Sequence, residues 1–310
     1  MVYNILEVYT IMIRYVTNRE SISSAIEQAE KGDIIKISEG IYSEKIKITK
    51  SGITLQGEGN VIIQNKDWSP KTHRDNKEYN TFRTYTVMVT GANVTIENIT
   101  IKNLSVPSSK YGQAVALHVL GDNFSLINSK LISAQDTLFC GPLPPNLQQK
   151  YIGFLEEDEL TPVYSRQYYK GCYIEGDVDF IFGGGCAIFD ECHFHSIAEK
   201  YGFYFAPSHN MDQPFGFTVI NSKFSAITKK SMFLARPWRD YGKVSIINSI
   251  IEDDILVPDG FNKWNNTDRD KTARFEFYNI TANTSDFVPW AKALTRDEAA
   301  RYNKSNIFEK

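Results

Sequence analysis

Apolar residues in ESISSAIEQAEKGDII, Glu20 to Ile35, fall on one side of a helical wheel and predict a short N-terminal helix. Almost everything after it is strand-like. The pieces GITLQGEG, NVTIENITIKNLSV, NFSLINSKLIS, QYYKGCYIEG, CAIFDECHFHS, FTVINSKFSAI, KVSIINSIIED and RFEFYNITANT each pair two short apolar runs around a polar or small residue. Those central residues are Asn98, Asn128, Gly171, Glu191, Asn221, Asn248 and Asn279, at successive gaps of 30, 43, 20, 30, 27 and 31 residues. Two or three short strands per repeat, with no helix between them, predict a solenoid of stacked coils, a parallel β-helix. A recurring Asn suits a turn position repeated from coil to coil. A β-sandwich would need hairpin turns of the NG or DG type. The DG at Asp259 and Gly260 stands alone, so the β-helix is preferred.

One piece breaks the pattern. GDVDFIFGGG, Gly176 to Gly185, puts two aspartates into a run that otherwise reads as a buried strand. Strand alternation puts Val178, Phe180 and Phe182 on one face and Asp177, Asp179 and Ile181 on the other. The carboxylates then face outward over a cleft. Alone they would be ordinary surface charges. Stacking changes this, because equivalent positions in successive coils lie ~4.8 Å apart. Gln113, Gln135, Asp136, Arg236 and Trp238 come from different predicted coils and become candidate neighbours of Asp179. Gln135 and Asp136 are consecutive, so both reach one cleft only at a bend or bulge.

The chain has 310 residues, 42% hydrophobic and 23% charged, which fits a globular protein with a large core. A net charge of −3 with no dense Lys/Arg block gives no electrostatic footprint for nucleic acid or an anionic membrane. The apolar N-terminus, MVYNILEVYTIMIRYV, carries Glu7 and lacks a basic start and a small-residue cleavage site. As written it predicts a soluble cytoplasmic protein, secreted only if the N-terminus is incomplete. Cys140, Cys172, Cys186 and Cys192 form no CxxC pattern and read as small buried hydrophobes. Cys172 and Cys192, one 20-residue repeat apart, should stack in adjacent coils, reduced in a cytosol and oxidisable outside it. His118, His193 and His195 come without GxSxG or HExxH, so a serine or metal hydrolase is disfavoured and no metal or cofactor is expected.

GQAVAL, QDTL, VDFIFG and RPW, in that order, resemble the four motifs of the pectin methylesterases, carbohydrate esterase family 8. The likeness extends to GIYSEKI, ITLQGEG and the terminal LTRDEAARY, and so covers most of the chain. It implies one right-handed parallel β-helix esterase domain over residues 1–310, with a C-terminal helical tail. It also implies roles. Asp179 would be the nucleophile, Asp136 the proton donor and later acceptor, Arg236 the partner that orients Asp179, and Gln113 and Gln135 the oxyanion donors. Trp238, Phe182 and Phe139 match positions where aromatics meet sugar rings, although alternation turns Phe182 inward. The implied partner is methylated homogalacturonan or a methylated oligogalacturonide, and the implied state a monomer.

The sequence departs from the family pattern at Ala235, Phe139 and Asp177, where Gly, Tyr and Thr are usual. NITANTSDF replaces the usual Gly-Pro-Gly segment, and the region from Phe139 to Ser165 is longer than usual. This long segment is expected to form one wall of the cleft, with its acidic run Glu156 to Glu159 turned toward substrate to repel de-esterified galacturonate. Three rival functions are open to such a sequence: a fold-mate lyase or polygalacturonase, an acyl-CoA thioesterase using the same anhydride chemistry, and a non-catalytic carbohydrate-binding β-helix. The last needs Trp238 but not Asp136, Asp179 and Arg236 together.

Overall fold

The structure, a computed structural model, describes residues 11–160 and 164–309. Parallel strands stack into a sheet of sixteen strands and a sheet of seven. The interior is filled by columns of apolar side chains in register, one per coil. One column runs Ile96, Leu126, Tyr169, Phe189, Val219, Ile246, Phe277, and a second runs Ile101, Leu131, Ile174, Phe194, Phe224, Ile251. The smaller sheet contributes Leu117, Leu138, Ile181, Phe205 and Ala235. All of these belong to one continuous core. At roughly 1.5–3 kcal/mol per fully buried large apolar side chain, such columns dominate the stability of the coil stack.

The polar residues that punctuate the repeat now have a physical cause. Asn98, Asn128, Gly171, Glu191, Asn221, Asn248 and Asn279 all have φ between 47° and 62°, the left-handed region that turns each coil from one strand into the next. Asn reaches this region more readily than most residues. Where the repeat has Gly171, a Cβ would stand 2.6 Å from Oδ1 of Asn128 in the coil below, so stacking as well as conformation favours glycine. The Asn279 amide donates to Oδ1 of Asn248 at 2.9 Å, which links the turn positions of two adjacent coils.

A short helix, Ile22–Gln28, buries Ile22 and Ile26 against the start of the solenoid, and helices Arg296–Ala299 and Lys304–Phe308 form the C-terminal tail. The expectation for the N-terminal stretch through Val16 falls mostly on residues 1–10, which lie outside the described residues. Among the described residues no helix is long and apolar enough to cross a membrane. Cys172 and Cys192 stand one residue before strands aligned as Tyr173 with His193. Their thiols are free and buried, and point at the carbonyls of Leu126 and Tyr169.

His118 lies on the outer side of the smaller sheet with neither ring nitrogen hydrogen-bonded, boxed in by Phe82, Tyr85 and Phe139. Burial pushes its pKa down to about 3. The unfolded chain takes up this proton near pH 6.5, so the stability tied to neutral His118 is complete above that pH and is lost as pH falls toward 3. His118→Leu should therefore raise stability at about pH 4 by about 2–4 kcal/mol, with little change at pH 7. Urea midpoints across this range check it; an acid loss as steep as the parent's would refute it. His209, likewise buried and pushed down to about 3, retains its own share in both proteins.

Candidate active site

Asp136 and Asp179 occupy the same position in adjacent coils, each two residues before strands aligned as Leu138 with Ile181 and Phe139 with Phe182. Both have left-handed φ, 62° and 50°. This resolves the difficulty with Gln135 and Asp136: the chain bends at Asp136, and both consecutive side chains line one cleft of about 230 Å³. The same bend at Asp179 corrects the alternation expected along GDVDFIFGGG. Past it the parity reverses, so Ile181 enters the core while Phe182 lines the cleft. The bend also brings Gly183 so close to the preceding coil that a Cβ there would meet the Cys140 carbonyl oxygen at 2.0 Å.

Arg236 grips Asp179 with two parallel hydrogen bonds, Nε to Oδ1 at 2.7 Å and Nη2 to Oδ2 at 2.6 Å. Its guanidinium lies between the rings of Phe203, 3.9 Å away, and Trp264, 4.1 Å away. Among the described residues Asp136 has no ion pair and no hydrogen bond from its carboxyl group. Burial raises the proton affinity of both aspartates above the ordinary carboxylate range. For Asp179 the hydrogen bonds and charge of Arg236 oppose the rise. For Asp136 the negative charge of Asp179 adds to it, and the pKa goes well above the usual value. Of the two, Asp136 is therefore the one whose surroundings favour the proton, and Asp179 the one whose partner favours the charge.

Gln113 and Gln135 face the same cleft and are joined by a parallel backbone bridge. Their side-chain amides have no hydrogen-bond partner among the described residues, which leaves the NH2 groups available. Trp238 lines the cleft with Phe182, ring centroids 5.8 Å apart. Phe139 does not. It lies fully buried beneath Phe82 and Phe182 and supports the aromatic wall without presenting a face.

Sequence reading missed several lining residues: Thr81, Phe82, Tyr151 and Trp264. Tyr151 comes from the long segment after Phe139, so that segment does supply a wall. Its acidic run does not face the aspartates. Glu156, Asp158 and Glu159 converge on the Lys47 ammonium at 2.6, 2.8 and 3.3 Å, and Glu156 and Glu159 border a separate depression with Lys45 and Arg83. Held at Lys47 and bordering that depression, the run lies away from the aspartates it was expected to flank. His193 and His195 share the Ser225 hydroxyl at 2.8 Å each, outside the cleft.

The family model described as Pectinesterase matches residues 11–142 and 153–309. Pectinesterase QRT1 of Arabidopsis thaliana is 31% identical over 279 residues, 85% of this chain and 66% of that protein, so the chain spans just under two thirds of its length. Putative pectinesterase 10 of Arabidopsis thaliana is 31% identical over 288 residues, 89% of this chain and 76% of the relative. Among solved structures, a pectin methylesterase from Yersinia enterocolitica superposes with a TM-score of 0.78 at 26% identity, over 94% of this chain and 98% of that one.

Proposed function

From the premise that the chain belongs to the pectinesterase family, we propose that it hydrolyses galacturonate methyl esters, in pectin or methylated oligogalacturonides, to free carboxylate and methanol. The observation that carries this reading is the split pair. One buried aspartate is gripped by a bidentate arginine that favours its charged form, and its neighbour, without a cation of its own, has its proton affinity pushed well above the usual value.

Asp179 attacks the ester carbonyl carbon. The electron pair of the C=O bond moves to oxygen, and the amide NH2 groups of Gln113 and Gln135 donate to the resulting oxyanion. Collapse breaks the bond to the methoxy oxygen as Asp136 transfers its proton to it, releasing methanol and leaving an anhydride on Asp179. Asp136, now ionised, takes a proton from water. The hydroxide equivalent adds to the galacturonyl carbon and breaks its bond to Asp179, releasing galacturonic acid, which gives its proton to solvent, and both aspartates return to their starting states. No cofactor is needed to balance the steps. An acyl-CoA thioesterase has no support in the comparisons, and a purely binding β-helix gives no reason for two buried carboxyls with opposed protonation.

Methanol release from highly methylated pectin and methylated oligogalacturonides tests the reading; none from either, with a folded protein, would refute it. Trp238 and Tyr151 should serve the sugar rings more than the ester. Trp238→Ala is expected to raise KM about tenfold with a smaller change in kcat. A fall in kcat at unchanged KM would place Trp238 in the chemistry instead.

A further inference from the structure

Asp177 takes no part in the steps above, yet it precedes Asp179 by two residues and is 8% exposed, as enclosed as the reacting pair. Its backbone N–H donates to the Ala134 carbonyl in the coil of Asp136, and its own carbonyl accepts from Phe203 in the next coil, both at 3.1 Å. Each oxygen of its carboxylate accepts a hydrogen bond. The Val178 N–H donates to Oδ1 at 2.6 Å, and the Ser108 hydroxyl donates to Oδ2. Burial raises the proton affinity of this carboxyl group above the ordinary carboxylate range, and the two donors, which favour the anion, oppose that rise. Ser108 opens the short helix Ser108–Tyr111, which closes at Gly112 with φ 72°, and the next residue is Gln113. A strap therefore connects the Asp177 carboxylate to one of the two oxyanion amides.

We propose that Asp177 is a positioning residue that works through its neighbours: its buried negative charge holds Asp136 and Asp179 in the one-proton state from which the reaction starts, and its bond to Ser108 seats the strap ending at Gln113. The charged groups meeting the pair are Arg236, from the end of strand Met232–Ala235, and Asp177 itself. One cation thus faces three carboxyl groups. A proton on Asp136 relieves part of the excess charge, and Asp177 strengthens its retention, because it raises the proton affinity of both Asp136 and Asp179. Loss of that charge should let Asp136 give up its proton at lower pH and let Asp179 stay ionised to lower pH. Both limbs of the activity profile then move in the acid direction. The carboxyls titrate together, so the limbs belong to the cluster and not to single residues.

This inference rests on the assigned roles of Asp136 and Asp179, and the experiment separates the two. The pH dependence of kcat/KM for methanol release is compared in the parent, Asp177→Asn, Ser108→Ala, Asp136→Asn and Asp179→Asn, with folding checked by near-UV circular dichroism. Asp177→Asn should shift both limbs acidward by about half a unit or more. Ser108→Ala, which keeps the charge and loosens the strap, should lower the plateau and leave the limbs in place. A folded Asp177→Asn with an unshifted profile, whatever its height, would overturn the charge role, as would limbs that move equally in Ser108→Ala. Near-parent activity in Asp136→Asn or Asp179→Asn would instead overturn the catalytic assignment beneath it.

Discussion

Asp179→Asn is expected to lower methanol release by about 10³-fold or more while the protein stays folded, because an amide of the same shape cannot form the acyl-enzyme. Asp136→Asn should cost about 10²–10⁴-fold for a different reason. Methoxide is a poor leaving group, and without the Asp136 proton the tetrahedral intermediate returns to substrate more often than it expels methanol. The two variants differ in charge balance. Asp179→Asn leaves the Arg236 guanidinium without its bidentate partner, 16% exposed between two aromatic rings, so it should also lose some stability. Asp136→Asn removes a group that holds a proton already, and its stability should match the parent's. Methanol assays at saturating substrate, read beside urea midpoints, separate the two. A folded Asp179→Asn within tenfold of the parent rate would rule out the acyl-enzyme.

The coil repeat was legible because its punctuation is a backbone requirement: the residues picked out from Asn98 to Asn279 all adopt left-handed φ. The partnership of Asp136, Asp179 and Arg236 was legible from motif order, since stacking makes neighbours of residues whole coils apart. Side-chain direction near them was not. Alternation assumes an unbroken strand, and the left-handed turns at Asp136 and Asp179 reverse it, which sends Phe182 into the cleft and Ile181 into the core. Phe139 fits the aromatic motif by position, yet it lies under Phe82, a residue more than fifty positions earlier that no local pattern connects to it. The acidic run failed for a related reason. Its cation is Lys47, over a hundred residues upstream, and without that pairing four acids read as free charge. Trp264 sits in a loop without periodicity, and only its stacking on Arg236 shows its use.

That stacking gives Arg236 a larger expected effect than a surface ion pair would have. Its guanidinium is fixed by two rings and by both oxygens of a carboxylate that is 9% exposed, so planarity and a two-pronged donor set are both required. Lysine supplies the charge but neither feature. Arg236→Lys is expected to lower kcat/KM about 10²-fold, with the acid limb displaced to higher pH, because a single ammonium opposes the raised proton affinity of buried Asp179 less well. Arg236→Met goes further and leaves the carboxylate unpartnered, at a cost of about 3–5 kcal/mol, reduced to the extent that Asp179 takes up a proton. Uptake also sets the sign of the pH dependence: the variant should be least stable relative to the parent above the raised pKa of Asp179, and the difference should shrink as pH falls through it. Combining Arg236→Met with Asp179→Asn removes the stranded charge, so the double variant should be more stable at neutral pH than Arg236→Met alone. Urea midpoints for the two single variants and the double variant measure this coupling. Strictly additive losses would mean that Arg236 stabilises the fold through its stacking on Phe203 and Trp264, and that its grip on Asp179 serves orientation alone.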